Sequence, residues 1–442
     1  MLKTSAIREL FQGRLREHRD PRAGRRAFLR DWYDTLGISC NHNMQPEYLT
    51  EGNGRYHFGE GRASPSEVSL RGLAEAIHGH EFVEEYYHPS SGFEFSELRE
   101  AAIDPTAFLN ISTFNLAVAG LVDAQILERY NQPQYIGRNL VRIVPSRKNG
   151  DKIIGVARMP QADRDSMRRL PGEPHAEIGN GEAYQTTPET VEQALKASVT
   201  REAVFFDLTG EVLDEAGNVG DIISYGQEKD IANEVLGVTN SYNRDGTSYN
   251  TYQAASPWVN DQSNEFLDYQ NLDNARQLFV GMTDPETGKE IQVNANTVLV
   301  MPKKAALTRA MLQMTGALLG SQLTGGNFPQ VFNQTPSVIG QIAGYQGTGG
   351  GSFQVIELSA IWYNRATATD GLGLAAANAQ KYWWLGDFQG AFEWRENWPL
   401  TPWQASADQL TLKDRGLIMV YGANQRGIAY TREPRKVVRN KN

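Results

Sequence analysis

Four of the eight tryptophans in this 442-residue chain fall between Trp383 and Trp398, and Trp403 follows close behind. Tyr382, Phe388 and Phe392 share the same run, KYWWLGDFQGAFEWRENWPLTPW. Aromatic rings bury large areas, and the indole N–H still seeks an acceptor. Such a segment is built for packing, either in a core of its own chain or at a contact between chains. No acid, base or nucleophile accompanies it at a catalytic spacing. A β-like run follows from Leu417 to Tyr421, then a turn at Gly422-Ala423-Asn424 and a second strand near Gly427 to Tyr430. The chain closes on a basic tail of Arg432, Arg435, Lys436, Arg439 and Lys441.

A chain this long can bury a sizeable core and divide into two or three domains. Its 40% hydrophobic and 21% charged residues are ordinary for a soluble protein. A formal net charge of −9 argues against a dedicated nucleic-acid-binding protein. No apolar run approaches the roughly 20 residues that span a bilayer. The N-terminus lacks the apolar centre of a signal peptide, so folding in a cytoplasm is expected. The single cysteine, Cys40, excludes an internal disulfide and a cysteine-based metal site.

Residues 1 to about 35 read as a basic, helix-prone stretch, in which Lys3, Arg8, Arg14, Arg16, Arg19, Arg22, Arg25, Arg26 and Arg30 outnumber Glu9, Glu17 and Asp20. Leu2, Ile7, Leu10, Phe11 and Leu15 have helical spacing. The pattern fits a solvated amphipathic helix or a partner-binding arm. Ile38 to Ala63 reads as loop. Ser64-Pro65-Ser66-Glu67 signals a helix from Ser66 to Ile77, and another is expected from Phe108 to Tyr130. Asn139 to Val144 alternates as a strand, Lys152 to Ala157 answers it, and Asn149-Gly150 between them is a strong hairpin signal. The charged excursion from Met159 to Thr190 has too few apolar residues for a core of its own.

Strand character returns from Ala194 and runs through Ala203-Val204-Phe205-Phe206-Asp207. Asp207 or Thr209 then caps a short helix closed by Gly217. Asp221 caps a second, with Ile222, Ile231 and Val235 on its inner side and Gly237 as its stop. Asn296 to Met301 is a buried-strand candidate, and Pro302 opens a helix because proline suits the first helical position. Phe353 to Ile361 alternates again.

Three stretches invite a chemical reading. His78, His80 and His88 crowd a run dense in potential metal ligands. The run does not satisfy HExxH, because Glu84 stands where the second histidine belongs, and residues at i and i+2 do not share a helix face. Gly347 to Gly351 lacks the Lys-Ser/Thr pair and the following helix of a phosphate cradle. Asn243-Arg244-Asp245-Gly246 begins like a calcium loop, yet Tyr252 occupies the glutamate position, so a turn is expected. Neither an enzyme nor a bound cofactor is expected.

Taken in order, the parts resemble a tailed-bacteriophage major capsid protein of the Hong Kong ninety-seven fold type, over roughly Ala107 to the C-terminus. The match rests on a helix before the excursion of Tyr135 to Thr190, the return through Ala203 to Asp207 into a long helix, and LVMPKKAALTRAML. Its most specific part is the closing YWWLGDF…AFEWRENWPL…GLIMVYGANQRGIAYTREPRKVV. The resemblance implies an α+β subunit with the phage major capsid fold: an N-terminal arm, an extended β-hairpin loop, a peripheral domain with a long spine helix, and an axial domain. On that template the chain divides into an N-terminal region 1–106, the arm 107–134, the hairpin loop 135–193, the peripheral domain 194–302 and the axial domain with its closing segment 303–442.

The resemblance further implies a major capsid protein that self-assembles into pentamers and hexamers, forming an icosahedral shell around double-stranded DNA. Such a subunit belongs to the virion and assembles in the host bacterial cytoplasm. Scaffold, protease and portal proteins are its further partners, DNA is touched non-specifically, and no membrane is involved. An encapsulin-like bacterial nanocompartment shell shares the fold class, but the chain's length and N-terminal region disfavour it. A metal-dependent enzyme built on His78, His80 and His88 is the alternative of another class. Candidate intersubunit contacts are Arg164, Arg168 and Arg169 against Glu173, Glu177 and Glu182, together with Trp383, Trp384, Trp394 and Trp398. Charge pairs of this kind set register more than affinity. The excursion is otherwise a surface loop. The region before Ala107 departs from the family's minimal pattern, and its basic helix suits a scaffold-like role or contact with packaged DNA.

Overall fold

The computed structural model describes residues 3–36, 38, 68–86, 105–154, 171, 184–207, 210–283, 291–313, 353–406 and 416–441. In chain order the helices are α1 (Thr4–Glu17), α2 (Pro21–Leu36), α3 (Leu70–His78), α4 (His80–Tyr86), α5 (Pro105–Tyr130), α6 (Gly137–Leu140), α7 (Arg201–Phe206) and α8 (Glu211–Leu236). After them come α9 (Tyr269–Val280), α10 (Pro302–Gln313), α11 (Ala360–Thr367), α12 (Ala376–Ala379) and α13 (Phe388–Ala391). The strands are β1 (Arg142–Pro145), β2 (Lys152–Ile154), β3 (Tyr184–Thr186), β4 (Val191–Thr200), β5 (Asn243–Arg244), β6 (Thr247–Ser248) and β7 (Asp261–Ser263). They continue as β8 (Thr297–Val300), β9 (Gln354–Glu357), β10 (Trp383–Gly386), β11 (Phe392–Ser406), β12 (Leu417–Thr431) and β13 (Val437–Lys441). The class is mixed α+β. Two compact units divide the chain: Met1–Pro133, Glu192–Gly226 and Trp398–Arg426 make one, and Gln134–Val191, Gln227–Asn397 and Gly427–Asn442 the other.

The first unit is built on helices. α1 buries Ile7 and Phe11 one turn apart, α2 buries Phe28, Leu29, Trp32, Tyr33 and Leu36, and α3 buries Leu70, Leu73, Ala74 and Ile77. These i, i+3, i+4 stripes are what an amphipathic helix presents to a core. α5 is different, with Phe114, Ala117, Val118, Leu121, Val122 and Ile126 all buried. A helix apolar on nearly every side has to be enclosed. α2 supplies part of that cover: the Tyr33 hydroxyl donates to the Leu116 carbonyl, and Trp32 Nε1 donates to the Ala117 carbonyl at 3.3 Å. The Ser69 hydroxyl caps α3 by accepting from Gly72 N at 2.9 Å. β4 lies beside β12, where Gln425 Nε2 donates to Gln193 Oε1 at 2.7 Å.

A five-stranded sheet in the order β7-β13-β10-β8-β9 forms the heart of the second unit. Its inner strands β8 and β10 are covered on both faces and read as continuous apolar runs rather than alternating ones. Side-chain alternation sends Trp383, Leu385, Val298, Val300 and Val438 to one face, where they pack with Phe266, Leu272 and Phe279. Trp384, Leu299 and Val437 go to the other, against Ile231, Val235, Trp362 and Phe388. The Trp383 indole and the Phe266 ring stand perpendicular, centroids 4.9 Å apart, and Trp383 Nε1 donates to the Asn264 carbonyl at 2.7 Å. α8 ends in this unit at Gly237, whose φ of +80° suits glycine, with Val238 N donating to the Asn233 carbonyl at 2.8 Å.

Several sequence expectations need correction. Gly217 does not close a helix and Asp221 does not open one, because α8 is continuous. Its glycines serve packing: a Cβ at Gly220 would stand 2.1 Å from the Ile126 carbonyl oxygen of α5. Ile222, expected inside, is exposed. Ala203 to Phe206 is helical, because Thr200 caps α7 by accepting from Ala203 N at 3.1 Å. Asn139 and Leu140 belong to α6, not to a strand. Gly422 to Asn424 is not a turn but the middle of β12, where a Cβ on Gly422 would come 2.6 Å from the Leu195 carbonyl oxygen and 2.8 Å from the Trp403 ring. Asn243 to Gly246 is a turn as expected: Asp245 and Gly246 both have positive φ and join β5 to β6.

Candidate functional site: the root of the charged hairpin

Asn149-Gly150 does lie in a turn, with Gly150 at φ +74°, but it does not join a hairpin of its own two flanks. β1 pairs in parallel with β11, from Arg142 opposite Glu393 to Pro145 opposite Glu396. β2 pairs antiparallel with β3 instead, placing Lys152 opposite Thr186, Ile153 opposite Gln185 and Ile154 opposite Tyr184. Among the described residues this ladder ends at the Ile154–Tyr184 pair, and most of the charged excursion lies outside them.

Buried polar contacts fix the root. Arg395, on β11, donates to the Thr187 hydroxyl and, at 3.0 Å, to the Ser146 hydroxyl. Asn149 Oδ1 accepts from both Thr190 N and Thr190 Oγ1 at 2.9 Å. Thr187 N donates to the Asp151 carbonyl, and Asp151 N to Thr187 Oγ1, each at 2.9 Å. Gln185, only 1% exposed, donates to the Thr431 carbonyl at 2.5 Å. Asn397 Nδ2 donates to the Ser146 carbonyl at 3.0 Å. Each contact satisfies a group whose burial would otherwise be costly, so β2 and β3 sit on a fixed base.

Below the root the chain is dense in buried charge. Glu234 accepts from Thr239 Oγ1 at 2.6 Å and from Ser241 Oγ and Thr431 Oγ1 at 2.5 Å each. Burial raises its pKa above the ordinary range, against the pull of those hydroxyls. Glu228 caps the chain entering α6, accepting from Gly137 N at 2.7 Å, and also takes Trp362 Nε1 at 2.5 Å. The basic tail expected at the C-terminus is not a free tail. Arg432 pairs with Glu393, Arg435 with Glu433 at 2.6 Å, Lys436 with Asp387 at 3.3 Å, and Arg439 and Lys441 with Asp261 at 2.9 and 2.7 Å.

The residues singled out in the sequence scatter accordingly. Trp383 and Trp384 are fully buried and Trp394 nearly so, all three accounted for within their own unit. Trp398 is half-buried under the Arg426 guanidinium, 5.5 Å from its ring, and Trp403 is exposed. Arg164, Arg168, Arg169, Glu173, Glu177 and Glu182 lie outside the described residues, as do His88, Cys40 and the Gly347–Gly351 run. His78 stacks on Phe82 at 4.7 Å, and burial lowers its pKa to about 4. His80 is exposed beside Glu75, 3.2 Å away. Among the described residues no three His, Cys, Asp or Glu side chains gather as a metal site. Also among them, no helix is long and apolar enough to cross a membrane.

No family model matches the chain, and no curated protein does. Among solved structures it is similar to the capsid of a native GTA particle, at 13% identity and a TM-score of 0.38, covering 70% of this chain and 90% of that one. A Gordonia phage Cozz structure aligns at 13% identity and a TM-score of 0.33, over 70% and 90%. A virus-like particle from Pyrococcus furiosus aligns at 8% identity and a TM-score of 0.34, over 72% and 97%.

Proposed function

We propose that this chain is the shell subunit of a tailed-phage capsid, one that assembles with copies of itself into pentamers and hexamers around double-stranded DNA. The observation that carries this reading is the β2–β3 pairing. It closes the base of a charged, core-poor excursion at Ile154 and Tyr184, where the family resemblance puts the extended hairpin. A segment that cannot bury its own apolar surface gains stability by lying across a neighbour. Its fixed root determines where such a segment can reach. The charge series Arg164, Arg168, Arg169 against Glu173, Glu177, Glu182 then provides register between subunits. In this reading the subunit is not an enzyme, and the interior tryptophans hold the second unit together rather than touch a neighbour.

Excising the loop tests it. Ile154 and Tyr184 are paired across the ladder, about 5 Å apart, so a short Gly-Ser linker can replace residues 155–183 without straining the root. The account expects a folded chain, by circular dichroism, that no longer forms closed particles under the electron microscope. Particles of unchanged size from the excised chain would refute the reading.

A further inference from the structure

Residues 3–36 carry nine basic side chains against five acidic ones, a local charge of +4 in a chain whose total is −9. Their ion pairs are uneven. Arg14 is spent on Glu17 at 2.6 Å and Asp31 at 2.5 Å, and the Asp20 carboxylate caps Arg22 N at 2.9 Å. Arg22, Arg26 and Arg30 are exposed, and no ion pair among the described residues engages them. They stand at i, i+4 and i+8 on α2, along the border of the face that buries Phe28, Leu29, Trp32 and Tyr33. Four residues of helix rise about 6 Å and turn about 40° beyond a full circle, so the three arginines form a gently winding row of always-charged donors. By contrast, the arginines and lysines at the C-terminus are bound to carboxylates of their own chain.

We propose that the Arg22-Arg26-Arg30 ridge of α2 is a binding site for the phosphate backbone of duplex DNA, a placement that rests on the capsid reading only for its biological setting. Apart from Pro21 at its start, α2 exposes only Arg22, Arg26, Arg30 and, one turn beyond them, Asp34, so no large apolar side chain stands on the ridge. A protein partner is gripped through buried aromatic and apolar anchors, which this face lacks. A polyanion of regular charge needs only the row of cations, and binds without reading sequence.

Fluorescence anisotropy of a labelled mixed-sequence duplex with the full-length, unassembled chain tests the site between about 50 and 200 mM salt. Each phosphate contact contributes a salt slope of about −0.9. Arg22→Gln/Arg26→Gln/Arg30→Gln should therefore flatten the slope by up to about 2.7 and weaken binding at least tenfold at the lowest salt. Lys303→Gln, an exposed charge removed from the other unit, should leave the slope unchanged. Circular dichroism on the triple variant checks that α2 remains folded. An unchanged slope in the triple variant, no binding by the native chain, or displacement of DNA by poly-glutamate at equal charge would each overturn the proposal. The same preparations are scored for particles. Particles without ridge-dependent DNA binding defeat this inference alone, whereas ridge-dependent binding without particles defeats the capsid reading and leaves the site standing.

Discussion

Two mid-helix glycines should respond to the same substitution with opposite sign. Gly13 lies in α1 with nothing within 4 Å of where a Cβ would be. Gly13→Ala should stabilise the first unit by about 0.5–1 kcal/mol, the helix-propensity difference between the two residues. Gly220 gains the same propensity term in α8, but its new methyl would stand 2.1 Å from the Ile126 carbonyl oxygen and 2.9 Å from the Ile126 carbonyl carbon. Both are backbone atoms of α5, so no side chain can swing aside. Relief requires the two helices to separate, and overpacking of this kind costs about 1–3 kcal/mol or more. Separation would also loosen Leu213, Ala216 and Ile223, which share their core with Val122 and Ile126. The net expectation for Gly220→Ala is a loss of about 1–2 kcal/mol, or several degrees in the transition of a unit of this size. Scanning calorimetry and urea unfolding of the unassembled chain measure both variants. A neutral or stabilising Gly220→Ala would refute the close contact of α8 with α5.

Two pH dependences of opposite sign follow from buried titratable groups. His78 is held neutral by burial, its pKa lowered from 6.5 to about 4, so the unfolded chain binds the extra proton in that window and the first unit should lose stability as pH falls from 6.5 towards 4. The effect is on the order of 3 kcal/mol, and His78→Leu should abolish it in acid-titrated thermal melts. Glu234 has its pKa raised above the ordinary 4.5 by burial, so the native state holds the proton longer and the second unit should lose stability as pH rises above 4.5. Glu234→Gln should flatten that decline in the same melts; a decline of unchanged slope would show that another group causes it.

The interior of the second unit was readable from sequence because burial on both faces leaves a plain signature. The strand at Thr297 to Val300 and the proline opening α10 are legible in the sequence, and the tryptophan cluster announces dense packing without saying whether it lies within the chain or between chains. The errors share one cause. Gly217 and Gly422 look like punctuation in the sequence, yet a Cβ on Gly422 would meet the Leu195 carbonyl oxygen and the Trp403 ring, and one on Gly217 the Arg129 and Gln125 side chains. One sequence cannot distinguish a glycine needed for its φ from one needed for its missing side chain. Asn149-Gly150 misled in a related way: the turn is real, but long-range partners on β11 and β3 outcompete the local pairing. Arg432, Lys436 and Arg439 resemble part of a free basic tail because their carboxylate partners, Glu393, Asp387 and Asp261, lie far off in sequence. The Arg22, Arg26 and Arg30 row was visible as composition, but its freedom from partners was not.

Assembly is the central claim, and electron microscopy of the full-length chain expressed alone, paired with light scattering on the same sample, tests it most directly. The account predicts closed particles of uniform diameter, or rings of five and six subunits. A chain that stays monomeric at every salt concentration, and remains so when mixed with duplex DNA, would contradict it.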